Sequence, residues 1–95
     1  MANESEIEVV EEILVWKLYR DGCWGKGHHS QTPLFTKGFP SHLGGKIVER
    51  VAEALLESGI LYKHASGHEY QWSLNPARKE AVEAIVGRRS KRLGI

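Results

Sequence analysis

The chain has 95 residues, of which 41% are hydrophobic and 26% charged, as in one ordinary globular domain. No apolar run approaches the roughly eighteen residues that a membrane helix needs, and the acidic N-terminal segment is unlike a signal or transit peptide. The single cysteine excludes a disulfide within the chain. These features together predict a cytoplasmic protein with no membrane partner.

The net charge of +1 is unevenly distributed along the chain. Residues 1–22 carry six acidic and two basic side chains, a balance of −4, whereas residues 23–95 carry six acidic and eleven basic ones, a balance of +5. Four of these bases lie in the last eight residues. Such asymmetry permits nucleic-acid binding by the C-terminal part, although a strongly basic domain would indicate it more clearly.

A first helix is predicted from about Ser5, which with Glu8 matches the pattern of a capping box, to the stop at Asp21 and Gly22. Its apolar stripe consists of Ile7, Val10, Leu14 and Leu18. Further apolar side chains lie outside that stripe, namely Val9, Trp16 and Tyr19. This surplus indicates that the helix is wrapped by its own domain or meets a second copy. We therefore expect a homodimer through the first and last helices.

The following segment, residues 23–40, is rich in glycine and histidine. A short second helix is predicted over 32–38, because Thr32 can cap it and a proline occupies its first position. A third helix is predicted firmly only from Lys46. An alternative start lies near Ser41, but two intervening glycines weaken that first turn.

The third helix has apolar residues at spacings of three and four, with charged residues on the opposite face. It ends at Ser58 and Gly59, and Gly59 suits the left-handed position after a helix. A β-hairpin is predicted next, with strands over 60–64 and 69–74 joined by a turn over 65–68. The alternation of the second strand directs three side chains toward the core, Tyr70, Trp72 and Leu74.

The last helix is predicted to begin at Asn75 and Pro76, a cap followed by proline at the first position. It is expected to end at Gly87, before a basic tail over 88–95 that has no core-forming residue. The prediction is therefore a single domain, ordered over about 5–87, of mainly α class with a small β-hairpin (α+β). Its order is helix, short helix, helix, hairpin and helix.

A helix that ends in Leu-x-x-x-Gly-apolar-apolar and leads directly into a hairpin resembles the recognition helix and wing of winged helix-turn-helix domains. The resemblance covers residues 5–87 and is most specific over 51–74. Looser likeness to short single-domain archaeal winged-helix proteins comes from the stretches at 24–28, 38–40 and 73–76. The resemblance implies a transcriptional regulator that binds double-stranded DNA. Its third helix would enter the major groove and its wing would touch the backbone.

The resemblance also implies which residues would contact DNA. The positions facing the major groove would be Lys46, Glu49, Arg50 and Glu53. Those of the wing would be Lys63, His64, Ser66 and His68. The basic tail would add Arg88, Arg89, Lys91 and Arg92, which could neutralise phosphates or could form a solubilising end.

An alternative interpretation is a protein-interaction winged helix without direct DNA binding. The third helix carries glutamates that would repel phosphates, although glutamate can accept a hydrogen bond from cytosine. Lys46 with Glu49, and Arg50 with Glu53, could also be local pairs on a solvated face. In this interpretation the acidic faces of the first and third helices meet a partner.

Neither a metal site nor an enzyme is predicted. The potential zinc ligands Cys23, His28, His29 and His42 match no familiar spacing, which favours an ordinary surface loop over a metal site. Cys23 beside a histidine is a formal nucleophile–base pair, but no orienting residue accompanies it. No cofactor is expected. The tryptophans at 16, 24 and 72 are interpreted as core anchors rather than base-stacking residues.

Overall fold

The computed structural model describes residues 4–25, 30–31, 39, 45–66 and 69–94. In chain order they form α1 (Glu4–Arg20), β1 (Ser30–Gln31), α2 (Gly45–Glu57), β2 (Leu61–Ser66), β3 (Glu69–Leu74), a 3-10 turn (Pro76–Arg78) and α3 (Lys79–Leu93). The helix α2 corresponds to the predicted third helix. The short helix predicted over 32–38 and the alternative start near Ser41 lie outside the described residues.

The predicted α+β class is confirmed, since the described helices are accompanied by a small antiparallel sheet in the order β1-β3-β2. The hairpin register runs from Leu61 opposite Leu74 to Ser66 opposite Glu69. The predicted turn over 65–68 was therefore too long, because the backbone ladder continues through Ala65 and Ser66. The strand β1 was not predicted, since two residues are too few to show an alternating pattern.

The predicted end of the third helix is confirmed. Gly59 has a left-handed φ of 83°. Its N–H donates to the Leu56 carbonyl at 3.1 Å, and the Ile60 N–H donates to the Leu55 carbonyl at 3.0 Å. These two bonds are those of a Schellman motif, which satisfies the last carbonyls of the helix. The buried side chain of Ile60 then leads the chain directly into the hairpin.

The core lies where α1, α2 and α3 meet one face of the hairpin. Leu55 is 3% exposed and Trp72 is 4% exposed, which confirms the predicted burial of both residues. Tyr70 lies on the same face as Trp72, as expected, since Lys63 Nζ approaches both rings, but Tyr70 is 52% exposed. The other large buried side chains include Val10, Leu14, Leu18, Val48, Leu61, Leu74 and Val82.

The surplus apolar residues of α1 are contacted within the chain. Val9 packs against the core. The half-buried Trp16 has two guanidinium groups near its ring, and Tyr19 meets Trp24 edge-on with ring centroids 6.2 Å apart. These side chains therefore do not by themselves require the second copy that was expected. No helix in the described part of the chain combines the length and hydrophobicity needed to cross a membrane.

The last helix does not end at Gly87. The helix α3 continues to Leu93 and ends at Gly94, which has a left-handed φ of 73°. A glycine inside a helix costs only about 0.5–1 kcal/mol relative to alanine, so other contacts can outweigh it. Here the extra turns pack along α1. The tail predicted over 88–95 is thus helical through Leu93, and the helix end predicted at Gly87 was wrong.

Asn75 connects the end of α2 to the start of α3. Its Oδ1 accepts a hydrogen bond from the Ala77 N–H at 3.0 Å, and its Nδ2 donates to the Gly59 carbonyl at 2.7 Å. The predicted cap is confirmed, although it begins a 3-10 turn that precedes α3.

We expect Asn75→Ala to lower the free energy of unfolding by about 1–3 kcal/mol. The variant loses a cap of about 0.5–2 kcal/mol and a hydrogen bond of about 0.5–1.5 kcal/mol. Asn75→Ser is the matched control, because its hydroxyl keeps an acceptor for the Ala77 N–H and cannot reach Gly59 as the longer amide does. Urea denaturation should therefore place Asn75→Ser between wild type and Asn75→Ala. Equal losses in the two variants would contradict the capping role.

Candidate nucleic-acid interface

An open groove of about 480 Å³ separates the polar face of α2 from the β2–β3 hairpin. One wall includes four charged side chains of α2, those of Lys46, Glu49, Arg50 and Glu53. The other consists of Lys63, Tyr70 and Trp72 from the hairpin. Five of these seven side chains were predicted from the sequence to contact DNA. Tyr70 and Trp72 were not among the predicted contacts.

The position of the α2 wall follows from the helical repeat. Buried residues of α2, including Val48, Val51 and Leu55, hold one side of the helix against the core. The four groove residues recur at intervals of three and four on another side of the helix, so they share one exposed stripe. The hairpin starts two residues after Gly59 closes the helix and brings its own wall alongside this stripe.

Two cations of the α2 wall are exposed, Lys46 and Arg50. They lie one helical turn apart. Within the described part of the chain, neither forms an ion pair, so the alternative of local pairs with Glu49 and Glu53 is not observed. Both positive charges are therefore available to an anionic ligand at the mouth of the groove.

Lys63 is held by three groups at once. Its Nζ lies 3.1 Å from Glu53 Oε1, 4.4 Å from the ring centroid of Tyr70 and 5.1 Å from that of Trp72. The lysine side chain is 26% exposed. Sequence analysis missed this arrangement, because residues ten apart on a helix and a strand have no regular spacing. The wing lysine predicted for phosphate contact is thus already paired inside the protein.

His64, a second residue predicted for the wing, does not line this groove. His64 follows Lys63 in a strand, so its side chain points to the opposite face. There it meets Tyr62 edge-on, with ring centroids 6.1 Å apart. His64 and Lys63 therefore lie on opposite faces of the hairpin, and contact between His64 and DNA stays a prediction. The side chains of Ser66 and His68 lie outside what the structure describes.

Two arginines of the predicted tail are bound to α1. Arg92 donates from Nε and from an NH group to the two oxygens of Glu12, at 2.9 and 3.0 Å. Arg88 pairs with Glu11, and its Nε lies 3.7 Å from Glu12. The hydrogen bond and the charge of Glu12 both raise the pKa of Arg92. These arginines are therefore engaged within the fold and do not form a free basic tail.

Glu12 is the charged residue that sequence analysis overlooked. It is 1% exposed, a burial that carboxylates reach only when they are paired. The only available signal was its position in α1, four residues after Glu8 and four before Trp16, on the side that meets α3. Arg89 approaches the Trp16 ring at 4.6 Å on that side. Lys91 is exposed on α3 and does not line the groove.

The cysteine that follows α1 belongs to the hydrophobic core. Cys23 is buried, and that burial raises the pKa of its thiol, with a further rise from the charge of Asp21. A raised pKa leaves little thiolate, which is the form that attacks electrophiles or binds metal. In the part of the chain that the structure describes, no three acidic, histidine or cysteine side chains form a metal cluster. His28, His29 and His42 lie outside that part.

Comparisons with protein-family models, curated proteins and solved structures gave no match for this chain. The functional conclusion therefore depends on the groove and on the elements that build it.

Proposed function

We propose that the chain is a winged-helix protein that binds double-stranded DNA, most simply as a cytoplasmic transcriptional regulator. The observation that carries this proposal is the pair Lys46 and Arg50, exposed one turn apart on a helix that is followed at once by a hairpin. The order of α1, β1, α2 and hairpin supports the resemblance to winged-helix domains. An α-helix fits the major groove of B-DNA, and a hairpin beside it can reach the flanking backbone.

The two cations have different roles in this proposal. Arg50 presents a planar guanidinium that can donate two hydrogen bonds to one guanine. Lys46, nearer the start of α2, carries a point charge suited to a phosphate oxygen. Glu49 and Glu53 lie between and beside them, so they repel phosphates and reduce affinity for random DNA. We therefore expect the protein to bind DNA with moderate affinity that depends strongly on salt concentration.

A second candidate is a protein-interaction module, which one observation favours. Three basic side chains form ion pairs with glutamates of the same chain, namely Lys63, Arg88 and Arg92. What remains in the groove is a mixture of acids and bases beside the exposed ring of Tyr70. Such a surface, with an aromatic side chain amid mixed charges, also suits a protein partner.

Fluorescence anisotropy of full-length protein with duplex DNA at several low salt concentrations tests the proposal. Removing Lys46 as Lys46→Ala should lower the slope of log affinity against log salt by about 0.9 on every sequence. Removing Arg50 as Arg50→Ala should cost about 1–3 kcal/mol on a duplex selected from a random pool, and much less on random DNA. Lys79→Ala, which removes an exposed lysine outside the groove, should change neither quantity.

The same titration separates the two candidates. If the full-length protein shows no salt-dependent binding even at the lowest salt concentration, DNA binding is ruled out and protein interaction becomes the better proposal. If binding occurs but Lys79→Ala weakens it as much as Lys46→Ala, the groove is not where DNA contacts the protein.

A further inference from the structure

The ammonium group of Lys63 occupies a site built from one carboxylate and two aromatic rings. Glu53 supplies the carboxylate at 3.1 Å, and Tyr70 and Trp72 supply the rings. A carboxylate oxygen and a phosphate oxygen make the same charge-assisted hydrogen bond with an ammonium. Glu53 therefore already pairs with the ammonium group that Lys63 would have to present to a DNA phosphate.

We propose that Glu53 competes with DNA for Lys63 and thereby restrains binding by the hairpin. The proposal deepens the DNA-binding function and depends on it. When duplex DNA enters the groove, Lys63 exchanges the carboxylate for a phosphate oxygen. The free carboxylate of Glu53 then faces solvent or a cytosine amino group.

The surroundings of Lys63 allow this exchange without refolding. Trp72 is buried and fixed in the core, so its ring keeps the lysine stem beside β3. The Glu53 side chain is 54% exposed and that of Lys63 is 26% exposed, which places their contact at the solvent edge of the groove. A pair of this kind contributes little, equivalent to a factor of about 1.4 to 5 in an equilibrium constant. A phosphate can therefore displace it.

The exchange has a distinctive salt dependence. A lysine that neutralises a phosphate releases counterions and steepens the slope of log affinity against log salt by about 0.9. In the wild-type protein this release is offset, because the carboxylate left by Lys63 attracts a cation from solution. In Glu53→Gln, Lys63 has no ion pair to break before it binds a phosphate, and no free carboxylate is left behind. The slope should then become steeper than that of wild type by about 0.9.

The experiment is a double-mutant cycle on DNA affinity, measured by anisotropy with one mixed-sequence duplex at low salt. It compares wild type, Glu53→Gln, Lys63→Met and the double variant. Methionine keeps an apolar stem over the two rings and removes the charge, so the variant should fold. Glu53→Gln should strengthen binding by a factor of about 1.4 to 5 beyond its matched control. That control is Glu49→Gln, which removes an equal charge from the same wall of the groove.

The cycle distinguishes the inference from a general loss of repulsion. Glu53→Gln should raise DNA affinity more than Glu49→Gln does, and it should steepen the slope of log affinity against log salt. Both effects should disappear in the Lys63→Met background. If Glu49→Gln produces the same gain, or if the gain persists without Lys63, the competition is wrong while the DNA-binding proposal stands. If no variant shows salt-dependent binding, the DNA-binding proposal fails, and the competition fails with it.

Discussion

Truncation after Gly87 is expected to lower the free energy of unfolding by about 3 kcal/mol. Glu12 is 1% exposed, and the truncation removes Arg88 and Arg92, which pair with it. Leaving one member of a buried ion pair without its partner costs about 3–5 kcal/mol. The lower figure applies because the Arg92 side chain is 42% exposed, so water already reaches this site. Chemical denaturation monitored by circular dichroism measures the change.

The control is the same truncation in a Glu12→Met background. Methionine has a similar length and no charge, so the truncated variant no longer contains a buried carboxylate without a partner. We expect the truncation to cost less than half as much there as in the wild-type background. Equal losses in the two backgrounds would show that Glu12 does not depend on the arginines. A negligible loss in wild type would restore the prediction of a free basic tail.

Leu55→Ala is expected to destabilise the protein by about 2–5 kcal/mol, the range for removing a buried leucine side chain and leaving a cavity. Leu55 is 3% exposed in the helix face that packs toward the hairpin. The carbonyl of Leu55 also accepts the Ile60 N–H, but the substitution leaves that backbone bond intact. The lost stability should therefore reflect side-chain packing. The free energy of unfolding should keep the same slope against denaturant concentration as in wild type.

Glu57→Ala is the matched control for this prediction. Glu57 lies half a turn further along α2 and is exposed, so its replacement should change stability by no more than about 0.5 kcal/mol. Both midpoints are measured in the same denaturant series. If the denaturation midpoint of Leu55→Ala equals that of Glu57→Ala, the proposed packing between α2 and the hairpin is contradicted.

The parts of the fold that could be predicted from the sequence are those specified by neighbours in the chain. The apolar stripe of α2 and its stop at Gly59 depend on residues three to five positions apart. The strand over 69–74 and the cap at Asn75 are likewise local. Each signal carries its own physical reason, a helical repeat, a left-handed glycine or a side chain that accepts a backbone N–H. The structure retains all of them.

The sequence-based predictions were wrong where contacts between residues far apart in the chain decide the structure. Gly87 is a sound local stop signal, yet α3 continues through it because Arg92 reaches a carboxylate 80 residues earlier. The burial of Glu12 has the same origin. A local preference of about 1 kcal/mol is overridden once tertiary contacts of greater strength are available.

For the candidate site, the sequence by itself determined that Lys46, Glu49, Arg50 and Glu53 share one polar face, because the helical repeat depends only on spacing. Only the tertiary structure decided that Glu53 holds Lys63 against Tyr70 and Trp72. That contact depends on the angle at which α2 docks against the hairpin. The docking angle is set by the packing of the buried faces of both elements, and no local spacing encodes it.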